Sequence, residues 1–473
     1  MLLLKKGGRA VQLTGALFLF LFLPLSLLFV PFCPAKYRKL MLTLLSSAWY
    51  VLANLRTPFA IVQIFLVVLL CSLLAALPDG EYSRLRCAAG VVLPVIFFIT
   101  ARLLAEYGPA SYPYPYGLTL VTLGAVSMSI DRYRGDAPDR DGPLDVVGYL
   151  LFFPTLTMGP ILRYKQYLYV TEHTHVDIAR FSAGARLYML GLVKRIAVAA
   201  VLLRALEELI ALGAPSLSAL LLALFMAFCL LFFFVTGCTD MARGLMLIYG
   251  FQPPRAQGDA LFATTPTRML YGMTLSLDRY FEDYVSQPLT RRLGKRWGRV
   301  LAAAALFLLT VFFYRLRPEL LLLAAPLLVI ALCTVRRGRF ERFPRHALLR
   351  ALCRLFSVLL VSVFALGLVL EEPLSVFAML RDAALADTSY SFFQVYNAVS
   401  DIRYLTVIGT LFLLILPLEH VWPRLARRCS ERTRTHVQVL TAVLIIAAFV
   451  VTLLHFMPQF PQYASSAFDK LFL

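Results

Sequence analysis

Charge is scarce in this chain, and acid is scarcer than base. Of 473 residues 15% are charged, with 27 Asp and Glu against 46 Lys and Arg. Together with 60% apolar residues, that composition excludes an ordinary soluble domain. Histidine is rarer still, six residues in all, and no Ser/His/Asp constellation can be assembled from them. The eight cysteines include no CxxC pair, and Cys71, Cys229, Cys238 and Cys333 sit in apolar runs. Neither a disulfide framework nor a zinc site is indicated. His173 and His175 in "TEHTHVD" carry metal-ligating chemistry beside Glu172 and Asp177, but the polar surroundings read as a solvated turn; no metal is expected. Phosphate-cradling glycine loops, internal repeats and low-complexity linkers are all missing. The first apolar run is too long for a cleaved signal and no A-x-A-like site follows it. "FVPFC" likewise lacks the small residues that a lipoprotein site at Cys33 would need.

Apolar runs near the length that crosses a hydrocarbon core recur throughout. They cover 11–32, 40–54, 58–77, 86–105, 115–130, 145–162, 186–212, 216–236, 300–314, 319–335, 347–370, 403–418 and 437–457. The expectation is an all-α polytopic membrane protein with roughly eleven to thirteen crossings. It forms one integral-membrane domain over 1–473, with larger extramembrane stretches at 250–298 and 371–402. The formal charge of +19 does not point to nucleic acid, because the basic residues cluster in short loops: "RRLGKRWGR" (291–299), "RRGRFERFPR" (336–345) and "RLARRCSERTR" (424–434). That is the positive-inside pattern, and anionic membrane lipids are its partner. Basic residues flank the first run on both sides, so the orientation of the N-terminus stays open.

Polar groups at membrane depth carry most of the information, since a charge at a helix centre costs about 2.5–3.5 kcal/mol. The run 149–167, "YLLFFPTLTMGPILRYKQY", is broken by Pro154 and by Gly159-Pro160 before Arg163, Tyr164 and Lys165 close it. Proline removes a backbone donor and clashes with the preceding turn, so this backbone needs protein or water around it. "SIDRYRGD" (129–136) ends a run on alternating charges, as a helix-end anchor or something more. In "FFFVTGCTDMARGLMLIYGF" (232–251), Asp240 and Arg243 are three apart and share a helix face, which makes an ion pair the plainest reading. His455 lies in the last run, as a structural histidine or as a proton carrier.

These stretches, in this order, resemble the membrane-bound O-acyltransferase family, in its bacterial branch of alginate O-acetylation and teichoic-acid D-alanylation membrane proteins. "FLFLPLSLLF" with "KYRKLMLTLLSSAWY" is similar to that branch's opening. "SIDRYRG" resembles Ile-Asp-x-Tyr-Arg-Gly, and "FFPTLTMGPILRY" is similar to Phe-Phe-Pro-x-x-x-x-Gly-Pro-Ile-x-Arg-Tyr. "RFSAGARLYMLGLVKRIAVA" follows in place. "GCTDMARGLMLIYGF" resembles Gly-Tyr-Ser-Asp-Met-Ala-x-Gly. "LSLDRYFEDYVSQPL" (275–289) is similar to Leu-Ser-x-Trp-x-x-Asp-Tyr-x-x-x-Pro-Leu. The resemblance runs from about residue 17 to 290. It implies helices around a central cavity in which an acyl donor meets an acceptor, with broken or re-entrant segments lining it. Pro154, Gly159, Pro160, Arg163, Tyr164, Asp240, Ser276, Asp283 and Tyr284 are the motif residues it assigns to that cavity.

The departures are equally specific. Where the family carries its two histidines, this chain has Thr274 in "YGMTLSL" and Tyr314 in "LLTVFFYRLRPELLLLA", and "LEE" (370–372) replaces a later Phe-Arg-Ala. A tyrosine with an ordinary pKa near 10 does not take a hydroxyl proton as imidazole does. Three functions therefore compete. The first is acyl transfer to an exported envelope glycan with a displaced base, for which His455 or the Asp240 region would have to reach the cavity. The second is a silent scaffold or acyl conduit, and the third is a permease using the same cavity. The resemblance implies the bacterial cytoplasmic membrane, an acyl-thioester donor and no bound cofactor. It also implies an acyl-carrier protein and an extracytoplasmic acyltransferase as partners. Single cysteines placed in 291–299, 336–345 and 424–434 are expected to label only from the cytoplasm; external labelling of any one refutes this topology.

Overall fold

At membrane depth a backbone amide finds its partner inside a helix or not at all, barring cover from other protein. The described parts of the apolar runs accordingly fold mostly as helices in the computed structural model. It describes residues 17–30, 33–55, 58–77, 82–108, 112, 114–136, 142–156, 159–172, 177–212, 216–254, 260, 263–314, 318–337, 347–370, 372–385 and 431–456. The helices are α1 (Phe18–Phe29, opening with a π-helical turn), α2 (Ala35–Ala53), α3 (Pro58–Ala76), α4 (Ser83–Tyr107), α5 (Leu118–Tyr133) and α6 (Pro143–Leu150). They continue as α7 (Tyr164–Glu172), α8 (Ile178–Val193), α9 (Val201–Ala211), α10 (Leu217–Ile248), α11 (Pro266–Met273), α12 (Leu275–Phe281) and α13 (Gln287–Tyr314). Last come α14 (Pro318–Arg337), α15 (Ala347–Val369), α16 (Ser375–Leu385) and α17 (Glu431–Phe456). No strand occurs among the described residues.

Helices α3, α4, α10 and the Leu348–Val369 part of α15 are long and apolar enough to cross a membrane. The expected run at 403–418 lies outside the described residues. The run 145–162 is helical only to Leu150, after which the chain leaves the helix. In α13 the basic stretch 291–299 is not a loop but a sharp bend at Gly294, whose φ of 79° suits glycine.

The centre of the fold is a pair of helices held backbone to backbone. Gly184 and Gly191 lie two turns apart on α8, and Gly237 and Gly244 lie two turns apart on α10. They meet in antiparallel order, Gly184 on Gly244 and Gly191 on Gly237. A Cβ at Gly191 would stand 2.5 Å from the Gly237 carbonyl oxygen, and one at Gly244 would stand 2.5 Å from the Tyr188 nitrogen. Without a hydrophobic driving force in lipid, close backbone approach of this kind holds helices together. After α8 the chain runs through a π-helical segment, Lys194–Ala200, into α9, and all seven residues of that segment are buried.

An aromatic cluster adjoins the end of α10 at Tyr249. Trp49 of α2 packs on Phe18 and Phe22 of α1, with ring centroids 4.7 and 4.9 Å away, and Phe153 packs on both Phe22 and Tyr249. Lys39 of α2 forms an ion pair with Asp145 of α6.

Overpacking at a backbone contact leaves no side chain able to yield. Gly191→Leu is therefore expected to lose its monodisperse peak in fluorescence size-exclusion chromatography. Gly142→Ala, where a Cβ meets nothing within 4 Å, should elute as wild type.

Candidate functional site

The segment between α6 and α7 has left its helix, and its backbone groups find other partners. Phe153 N–H donates to Ser46 Oγ at 3.4 Å, and Tyr149 Oη donates to the Leu162 carbonyl at 2.8 Å. Arg163 N–H donates to Gln166 Oε1 at 3.2 Å, Tyr164 N–H to Ser127 Oγ at 3.0 Å, and Lys165 N–H to Asp131 Oδ2 at 3.4 Å. Pro154, Gly159, Pro160 and Tyr164 are buried and Arg163 is half-buried. Gly159 is needed for close approach, since a Cβ there would lie 2.5 Å from Ala242 Cβ on α10.

Three motif stretches, distant in sequence, meet where this segment enters α7. Ser127 and Asp131 lie four apart on α5 and so share a face. Asp131 is fully buried. Its carboxylate accepts from Tyr284 Oη at 2.7 Å, and Ser127 Oγ lies 2.9 Å from the same phenol oxygen. Burial, and then the charge of Asp131, push the Tyr284 hydroxyl well above its ordinary pKa, so it acts as a donor. Beside it Arg163 forms an ion pair with Asp283 and donates to the Arg279 carbonyl at 3.1 Å. Arg134 donates to the Asp283 carbonyl at 3.1 Å and stands over the Tyr284 ring at 5.5 Å. Lys165 pairs with Asp136 at 3.1 Å. On α12, burial and then Glu282 raise the Asp278 carboxyl above the usual carboxylate range, against the pull of Arg279.

A second polar centre lies on the glycine-paired helices. Lys194 Nζ meets Asp240 Oδ2 at 2.7 Å, with side chains only 3% and 4% exposed. The glycine contacts place this pair, because Lys194 Cβ lies 3.0 Å from where a Cβ on Gly237 would be. The ion pair expected from sequence also forms, with Arg243 Nη1 3.8 Å from Asp240 Oδ1, a longer contact than that of Lys194. Arg195, equally buried, stacks on Phe234 at 5.3 Å.

Arg163, Tyr164, Asp283 and Tyr284 are thus brought together, whereas Asp240 pairs with Lys194 and Arg243 outside this junction. Ser276 is half-buried on α12 and takes no part in the junction. Thr274 links α11 to α12, and its hydroxyl donates back to the Leu270 carbonyl at 3.3 Å. Tyr314 ends α13, and His455 lies in the last turn of α17; the side chains of both, and all of His173 and His175, lie outside the described residues. Among the described residues no group of three or more metal-ligating side chains forms. Sequence reasoning missed Ser127, Tyr149 and Lys194. Lys194 could have been found, since a lysine inside an apolar run calls for a carboxylate in a neighbouring one.

No protein-family model matches the chain. It is similar to the probable alginate O-acetylase AlgI of Azotobacter vinelandii, 27% identical over 287 residues, which are 57% of this chain and 57% of that protein. The proteins of that name from Pseudomonas aeruginosa and Pseudomonas fluorescens are 26% identical over 286 residues and 28% over 298. Those matches cover 57% and 62% of this chain and 55% and 59% of the relatives. The chain therefore spans little more than half the length of the curated relatives it matches. These relatives bear out the resemblance, read from the motifs, to the alginate O-acetylation branch.

Lys194→Met removes the nearer cation from a buried carboxylate, a change that costs about 3–5 kcal/mol. The expected result is a lower melting temperature in detergent. Lys194→Met with Asp240→Leu replaces the pair by apolar groups and should recover most of the loss.

Proposed function

We propose that this chain is a multi-pass protein of the bacterial cytoplasmic membrane that takes part in acyl transfer to an exported envelope polysaccharide. Roughly eleven to thirteen crossings would enclose a central cavity. The observation that carries the reading is the meeting of three family motif stretches at Asp131, Tyr164 and Tyr284. Their order in the sequence resembles the family, and their contacts give that order a physical purpose. The names of the relatives favour an O-acetyl group over a D-alanyl group. An acyl thioester, delivered by a carrier protein on the cytoplasmic side, would be the donor, and an extracytoplasmic acyltransferase would complete the transfer.

The junction itself positions and does not abstract protons. Tyr284 is a hydrogen-bond donor to Asp131, and Arg163 is engaged by Asp283. Asp240 is engaged by Lys194 at 2.7 Å. One observation favours the reading of a scaffold or acyl conduit. Thr274, at or beside one family histidine position, turns its hydroxyl onto its own helix. Without imidazole at 274 or 314, a general base worth about 10²–10⁴-fold in rate is lacking there. His455 is the alternative proton carrier.

The test is to express the chain with its neighbouring genes and to quantify ester-linked acyl groups on the surface glycan. Acylation present in wild type, absent in the deletion and lost in His455→Ala supports a relocated base, provided that variant elutes as a folded protein. Equal acyl content in wild type and deletion supports the scaffold. Full acylation that survives both Tyr314→Phe and His455→Ala contradicts both.

A further inference from the structure

We propose that Arg243 is the receptor for an oxyanion, the carboxylate of a uronic-acid unit or the phosphate of an acyl-thioester donor. The inference rests on the proposed function only for the choice of probes. Arginine offers five N–H donors in a fixed fork, and a donor withdrawn from water without a partner carries a desolvation cost. In Arg243 the Nε donor is withdrawn in this way. Among the described residues its one contact is Asp240 Oδ1 at 3.8 Å, too long for a hydrogen bond, and its Nε is buried with no partner. Arg163 and Arg134, by contrast, are engaged by Asp283, by backbone carbonyls and by the Tyr284 ring.

Its setting suits a receptor. The side chain is 28% exposed on a helix that is otherwise mostly buried in this region. Asp240, fixed by Lys194 on its other oxygen, orients the guanidinium by charge without occupying its fork. In the same turn Ala242 meets Gly159, which places the receptor beside the broken segment. A planar fork binds carboxylate or phosphate through two parallel bonds, which lysine does not reproduce.

The experiment uses the full chain in nanodiscs and measures equilibrium binding of coenzyme A, a hexauronate and a neutral hexasaccharide. One anionic probe is expected to bind about tenfold or more tighter than the neutral sugar. Arg243→Gln should abolish that preference, Arg243→Lys should keep only part of it, and added salt should weaken it. Preference for coenzyme A assigns the receptor to the donor, and preference for the hexauronate assigns it to the acceptor. The proposal is overturned if neither anionic probe exceeds the neutral one, or if Arg243→Gln binds as wild type. Should Arg243→Gln not purify as a single species, unchanged affinity in Arg243→Lys overturns it equally. Binding needs no turnover, so an inactive chain leaves this result readable, and failure here leaves the acylation reading untouched.

Discussion

A backbone N–H that has left its helix, with no water at hand, must find a side chain, and the rest of this fold is arranged around meeting that demand. α6 ends at Leu150, and Pro154 and Gly159-Pro160 lie in the non-helical stretch that follows. Ser46 on α2 and Ser127 and Asp131 on α5 then supply acceptors for the N–H groups of Phe153, Tyr164 and Lys165. An unsatisfied group would cost about 1–3 kcal/mol, more than most single contacts return. The acceptors thus decide where α2 and α5 stand relative to the broken segment. Once Asp131 caps the start of α7, its remaining oxygen fixes Tyr284 and so draws in the stretch that carries Asp283.

The glycine-paired helices answer a different demand. Lipid gives apolar side chains no reason to leave it, so α8 and α10 adhere through backbone contact at four glycines. That closeness brings Lys194 to Asp240 in a place where neither charge would be tolerated alone. It also sets Ala242 against Gly159, so the helix pair and the broken segment constrain each other. The π-helical segment beginning at Lys194 shifts the register of the following residues, and such bulges recur at functional sites.

Much of this was legible in the sequence, and the remainder was not, for identifiable reasons. Helices follow from apolar length, and the break at 151–163 follows from proline and glycine, because both are local properties of the chain. Motif order marked Arg163, Tyr164, Asp283 and Tyr284, but not that they touch one another. The roles of Ser46 and Ser127 were hidden, since a short hydroxyl reads as a neutral helix residue until its distant partner is known. The pairing of Asp240 with Arg243 followed from their spacing of three, but the closer cation, Lys194, comes through the glycine contacts between two helices. Helix spacing records neighbours on one helix only. The bend at Gly294 likewise depends on a positive φ that the basic composition of 291–299 did not signal.

The central claim is that Asp131 and Tyr284 act on one another to hold the α5, α7 and α12–α13 stretches together. A double-mutant cycle of Asp131→Asn and Tyr284→Phe, read by reversible unfolding of the purified chain in detergent, measures this directly. The account predicts that the two losses overlap, with a coupling of about 1–2 kcal/mol. Losses that add to within about 0.5 kcal/mol would contradict it.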